Sequence, residues 1–196
     1  MRYHVASNGS AHGDAPGIGQ GDFMRQLVRP LAGIACAIAV AGLFGTAPAQ
    51  AREVVAFRDG SVSAGTIVVR TGERRLYYVM GDGRAIRYPV GVGKASKQWT
   101  GTTRIDGKYV RPAWSPPREV KRDKPSLPDL IEGGSPRNPM GAAAMTLAGG
   151  EYAIHGTNVP SSIGGFVSYG CIRMFNQDVV DLYGRVSVGT TVMVVR

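Results

Sequence analysis

From Leu31 to Phe44 the chain holds only apolar residues and glycine, and this run divides it before any fold can be argued. A basic start, Met24-Arg25-Gln26-Leu27-Val28-Arg29, precedes the run. Thr46-Ala47-Pro48-Ala49-Gln50-Ala51 follows it and ends in a small-x-small site. Basic, apolar and small-residue regions in this order make a secretory signal peptide. A retained membrane anchor is the alternative, but the run is shorter than the ~20 residues that span a bilayer. A lipid-bearing Cys36 fits poorly, because Gly33 stands where a leucine-like residue is expected and the apolar run continues past it. Residues 1–23 are polar, and translation is expected to start at Met24. The expected organisation is a leader and signal over 1–51, a short segment over 52–62 and one folded domain over 63–196.

The whole chain carries a net charge of +9. Most of that lies after residue 51, so the surface favours anionic partners by long-range attraction. Export argues against nucleic acid. A wall polymer or an anionic lipid surface suits an exported chain, and solubility alone would also explain the charge. Membrane contact is expected only through the signal segment before cleavage. Loss of residues 1–51 removes Cys36, His4 and His12, leaving Cys171 and His155 as the sole cysteine and histidine. No intramolecular disulfide can then form. Two ligands are too few for a zinc site, so neither metal nor other cofactor is expected. A thiol redox sensor would lack a resolving cysteine.

After residue 51 the pattern reads mainly as strands. Thr66–Val69, Leu76–Met80 and Ala85–Val90 are β-branched or aromatic runs separated by Thr71-Gly72-Glu73-Arg74 and Gly81-Asp82-Gly83, which are hairpin signals. Residues 99–141 hold Pro112, Pro116, Pro117, Pro125, Pro128, Pro136 and Pro139 and a charge run over 118–124. This predicts long loops with short strands, of the kind that line binding sites. Tyr152-Ala153-Ile154 reads as a buried strand leading to His155. One helix is predicted after Phe175, capped by Asn176, with Val179, Leu182, Tyr183 and Val186 on its apolar face. Gly91-Val92-Gly93-Lys94 lacks phosphate-loop spacing and is predicted to be a turn. Thr191–Val195 is the last strand.

An unpaired cysteine in an exported chain needs an explanation. A thiol attacks as thiolate, and a nearby imidazole can take its proton. His155, at the end of a strand, can face Cys171 on a neighbouring segment. On composition alone, a buried structural cysteine beside a hydrogen-bonded histidine fits better. The surroundings shift that balance. Gly170 permits a close bend whose N–H groups converge on one oxygen. Arg173, two residues past Cys171, lies on the same face of an extended segment and can hold a carboxylate or brace the loop.

"IHGTN" at 154–158 and "SYGCIRM" at 168–174, with "NPMGAAAMTL" at 138–147 upstream, resemble the L,D-transpeptidase catalytic domain of bacterial cell-wall enzymes. The resemblance covers roughly residues 63–196. Two features depart from the family pattern. Tyr169 replaces the usual histidine between Ser and Gly, and a Thr-Pro-x-Gly segment is loosened to "WTGTTRI" at 99–105. The resemblance implies a mainly β, β-sandwich-like domain with one short helix after the cysteine and long Pro/Gly-rich loops.

It also implies acyl transfer on peptidoglycan stem peptides in the periplasm, associated with the cell wall. Cys171 would be the nucleophile and His155 the base, oriented by the Gly156 carbonyl. Backbone N–H groups of Tyr169, Gly170 and Cys171 would hold the oxyanion. Arg173, Ser168 and Tyr169 would shape the donor site. The acceptor would be a second stem, an outer-membrane lipoprotein's lysine or a free D-amino acid. An L,D-carboxypeptidase, in which water resolves the thioester, and a non-catalytic wall-binding homologue are the alternative readings.

Overall fold

The computed structural model describes residues 52–196. The expectations placed on residues 1–51 lie outside the described residues.

Ten strands build the domain: β1 (Glu53–Ala56), β2 (Ile67–Arg70), β3 (Arg75–Gly81), β4 (Arg84–Gly93), β5 (Gly101–Val110), β6 (Ala143–Leu147), β7 (Ala153–His155), β8 (Phe166–Ser168), β9 (Ile172–Met174) and β10 (Thr191–Val195). Their order is β1-β4-β3-β2-β10-β5-β6-β7-β9, and β4 also pairs with β9 and β8. The two ten-residue strands, β4 and β5, therefore belong to both layers. They join the layers at two corners, which gives a sandwich closed on itself. β2 and β10 run parallel, as do β7 and β9.

The unbroken β-branched runs have a direct cause. Side chains alternate across a strand, and here both faces are covered. Ile67, Val69, Leu76, Ile86 and Tyr88 enter the main core with Met145, Ile154, Ile172 and Met174. Their neighbours Val68, Tyr77, Val79 and Ala85 form a second cluster with Phe57. The segment before residue 63 supplies that Phe57 and the edge strand β1.

Helix α2 (Asn176–Arg185) buries Val179 and Leu182. Val186 is buried and Tyr183 half-buried against the same core. Lys108 donates to the carbonyls of Tyr183 (2.8 Å) and Val186 (2.6 Å). That satisfies two of the acceptors left free at the helix C-terminus.

Three expectations change. The stretch 99–141 contains a full ten-residue strand, β5, because the β-prone "GTTRIDGKYV" precedes the first of its prolines, Pro112. Its charge run forms a short helix, α1 (Arg118–Asp123), which starts directly after Pro117. Gly91-Val92-Gly93 is not a turn but the end of β4. A Cβ at Gly91 would come 2.8 Å from the Ser162 carbonyl oxygen, and one at Gly93 would come 2.5 Å from that of Lys97. These glycines serve close backbone approach.

Candidate functional site

The bend between β8 and β9 carries Cys171, and the end of β7 carries His155. β7 and β9 are neighbours, with Ile154 opposite Ile172 and His155 opposite Arg173. Ile154 and Ile172 point into the core. The alternation of a strand sends His155 and Arg173 to the other face. There Cys171, His155, Arg173, Ser168 and Tyr169 line one cavity of about 320 Å³.

Residues 111–142, between β5 and β6, form its outer wall. Trp114 and Ile131 exchange backbone bonds of 2.8 Å across that wall. Asn138 donates to the carbonyls of Pro112 (2.9 Å), Ile131 (3.1 Å) and Glu132 (3.0 Å) and accepts from the Met140 N–H (2.8 Å). One side chain thus gathers the ends of the excursion.

Two side chains fix the thiol bend from within. The Ser168 hydroxyl donates to the Cys171 carbonyl (2.6 Å) and accepts from the Gly170 N–H (3.1 Å). The Gly170 N–H, one of the three expected oxyanion donors, is thus bonded within the bend. The same two bonds make Ser168, which is buried, a brace of the bend. The indole of Trp99 donates to the Gly170 carbonyl at 3.0 Å and stacks on Tyr152 at 5.1 Å between ring centroids.

Tyr169 turns outward. Its hydroxyl donates to Asp123 Oδ2 at 2.7 Å, and the Lys94 ammonium lies 4.3 Å from its ring centroid. It therefore ties the thiol bend to the end of α1. A half-buried ion pair between Lys97 and Glu119 holds the same helix at its start.

The expected helix cap has another task. Asn176 is the first residue of α2, and no side chain caps that helix. Its Oδ1 accepts from the N–H groups of Ala142 (3.0 Å) and Thr157 (3.1 Å), and its Nδ2 donates to the Thr157 carbonyl (3.0 Å). A Cβ at Gly156 would come 2.3 Å from that Oδ1, and one at Gly141 would come 2.2 Å from it. The chain on either side of the histidine strand is knotted there. Sequence reasoning missed the roles of Asn176, Trp99 and Tyr152. The signal available for Asn176 was the pair of glycines that make room for it.

His155 is buried, with Nδ1 2.7 Å from the Gly156 carbonyl. A carbonyl only accepts, so the proton sits on Nδ1 and Nε2 keeps its lone pair. Burial, and then the Arg173 guanidinium, push its pKa down to about 4. Burial pushes the Cys171 thiol up, partly offset by the Ala153 backbone N–H and by Arg173. Its Sγ lies 3.9 Å from the Glu151 carbonyl. Thiol and imidazole therefore both rest neutral near pH 7, rather than as thiolate and imidazolium. Arg173 forms no ion pair among the described residues, and its Nε is buried without a hydrogen-bond partner.

The sign of the Arg173 effect is testable. A base with a depressed pKa stays neutral, and competent, to lower pH. Arg173→Gln removes the repelling cation, so the His155 titration should move upward from about 4. Burial remains and keeps it below the ordinary histidine value of about 6.5. NMR titration of the His155 ring measures this, and an unmoved or lowered midpoint would contradict it. Among the described residues no three His, Cys, Asp or Glu side chains group as a metal site would require.

A strand-end histidine, a cysteine in a glycine bend and a knotted outer wall around one cavity define a cysteine–histidine site on a closed β-sandwich. The chain belongs to the L,D-transpeptidase catalytic domain family, YkuD, whose model matches residues 64–194. It is 40% identical over 138 residues to an Escherichia coli probable L,D-transpeptidase, ErfK/SrfK, covering 66% of this chain and 43% of that one. It is 36% identical over 151 residues to the Bacillus licheniformis putative L,D-transpeptidase YkuD, covering 69% and 78%. The match thus spans less than half the length of the E. coli relative.

Two solved structures share the fold. One is an L,D-transpeptidase from Mycobacterium smegmatis, with TM-score 0.54 and 19% identity over 67% of this chain and 58% of that one. The other is from Enterococcus faecium, with TM-score 0.55 and 17% identity over 68% and 50%.

Proposed function

We propose that the protein is a cysteine-dependent L,D-transpeptidase acting on peptidoglycan tetrapeptide stems. The observation that carries this is the placing of Cys171 and His155 on adjacent segments of one cavity, with Nδ1 of the imidazole held by the Gly156 carbonyl. His155 takes the thiol proton through Nε2 as sulfur attacks the carbonyl of the third stem residue, so a neutral pair becomes an ion pair only during reaction. The Tyr169 and Cys171 N–H groups receive the oxyanion. His155 returns the proton to the leaving D-amino acid, and a thioester remains. An amine then resolves it, cross-linking a second stem or anchoring a lipoprotein's lysine.

The Gly156 carbonyl replaces the acid of a Ser-His-Asp triad. Arg173, with a buried Nε that lacks a partner, holds a carboxylate of the donor. In this reading residues 1–51 direct export, and the protein works in the periplasm against the wall.

The test is the intact mass of the protein after incubation with a carbapenem, followed by peptide mapping. A single adduct on the peptide bearing Cys171 is expected. Folded protein with a reduced thiol and no adduct would sink the reading.

A further inference from the structure

The cavity around Cys171 is unevenly charged. Besides the thiol, His155 and its tyrosines, five residues with ionisable side chains line it: Lys124, Arg137, Arg173, Glu119 and Glu151. Glu119 is occupied by Lys97 and Arg122. The other four make no ion pair among the described residues. The cavity therefore offers three unmatched cations and a single unmatched carboxylate.

The position of that carboxylate is the informative part. Glu151 follows Gly149-Gly150 in the turn between β6 and β7, and it is exposed. Its own backbone carbonyl faces Cys171 Sγ at 3.9 Å. The residue that carries the carboxylate thus has its backbone against the sulfur on which a thioester would form. An attacking amine arrives mostly as an ammonium ion. On this basic protein the long-range field, and three unmatched cations in the cavity, repel it. Only beside Glu151 does the cavity offer it an unmatched charge of opposite sign, since Glu119 is already paired.

We infer that Glu151 is the acceptor-selecting residue: its carboxylate draws the ammonium of the second substrate to the thioester, while Arg173, Arg137 and Lys124 take carboxylates of the donor. This rests on the transpeptidase reading above. In the step it serves, the ammonium first loses one proton to solvent. The freed lone pair forms the C–N bond as the C–S bond breaks. The second nitrogen proton passes to His155 Nε2 and from there to the Cys171 sulfur, so thiol and neutral imidazole are restored. Glu151 exchanges no proton in this sequence and acts through charge alone.

The experiment compares the full protein with Glu151→Gln and Glu151→Lys, counting competent thiols in each by the carbapenem adduct. Aminolysis is then followed with a tetrapeptide donor and two acceptors: a diaminopimelate stem peptide, whose attacking nitrogen is carried as ammonium, and hydroxylamine, which is neutral near pH 7. Glu151→Gln should raise the KM of the cationic acceptor about fivefold, the upper range for one partly exposed ion pair. It should leave kcat at saturating acceptor and the KM of hydroxylamine within about twofold. Glu151→Lys should raise the cationic KM further. A cationic KM that moves less than about twofold, or a hydroxylamine KM that rises equally, overturns the acceptor role while leaving the transpeptidase reading intact. Failure of the unaltered protein to form a thioester overturns both.

Discussion

Cys171→Ala is expected to abolish acylation outright, and His155→Gln to slow it by about 10²–10⁴-fold, the usual worth of a positioned base. The first removes the only thiol among the described residues, and with it the sulfur that forms the thioester. The second leaves the sulfur in place but without a proton acceptor. The two losses differ in their pH dependence. In the unaltered protein the base is neutral above about pH 4, because burial and Arg173 depress its pKa. Acylation should therefore be nearly flat from mildly acidic to neutral pH. In His155→Gln only the pre-formed thiolate can react. The Cys171 pKa is raised by burial, so that fraction is small near pH 7 and grows about tenfold per pH unit below the thiol pKa.

The residual rate of His155→Gln should thus climb steeply into the alkaline range while that of the unaltered protein does not. Stopped-flow acylation across pH, with circular dichroism to show both variants folded, makes the comparison. A Cys171→Ala protein that still forms an adduct would relocate the nucleophile. A His155→Gln protein within threefold of the unaltered rate, or with a flat profile, would remove the imidazole from the mechanism.

The strands were legible where turn chemistry and β-branched runs agreed. β2, β3 and β4 are separated by Thr71-Gly72-Glu73-Arg74 and Gly81-Asp82-Gly83, and each run fills two opposed cores. β5 was not legible, because its neighbours beyond Val110 are rich in proline and draw attention from its own β-prone residues. The cysteine and histidine stood out because composition left no others after residue 51.

The supporting shell was hidden for a physical reason. Asn176 sits where a cap is usual, so its local context predicts a local bond. Its actual partners lie 34 and 19 residues away, and sequence separation of that kind leaves no periodic trace. Trp99 and Tyr152 meet only because the sandwich closes, bringing the chain after β4 against the start of β7. Tyr169 reads as a lost imidazole beside the thiol, whereas its hydroxyl binds α1. The residue that departs from the family pattern thus faces the outer wall.

Gly170→Ala should cost both stability and acylation, although it adds only one methyl group. Gly170 has φ +123°, a region L side chains rarely adopt. Its added Cβ would lie 2.3 Å from Tyr152 Cε1 and 2.8 Å from Cδ1. Neither neighbour yields cheaply. The Tyr152 ring is stacked on Trp99 at 5.1 Å, and the Trp99 indole is bonded to the Gly170 carbonyl. Ring, indole and bend therefore have to move together, and the Ser168 bonds at the same turn move with them.

Backbone strain of about 1–3 kcal/mol and overpacking of a similar size point to a loss of roughly 2–5 kcal/mol. For a domain of this size that lowers Tm by roughly 5–15 °C. Acylation should fall as well, because the same turn aims the thiol and the Tyr169 and Cys171 N–H groups. Strain and clash separate in a double variant. Tyr152→Ala removes the ring that the methyl strikes but leaves φ unchanged. Gly170→Ala in that background should therefore cost less than in the unaltered protein, a coupling expected between residues in contact. Equal costs in both backgrounds would assign the effect to the backbone alone. A Gly170→Ala protein with unaltered Tm and acylation would mean that the turn does not hold the thiol by this contact.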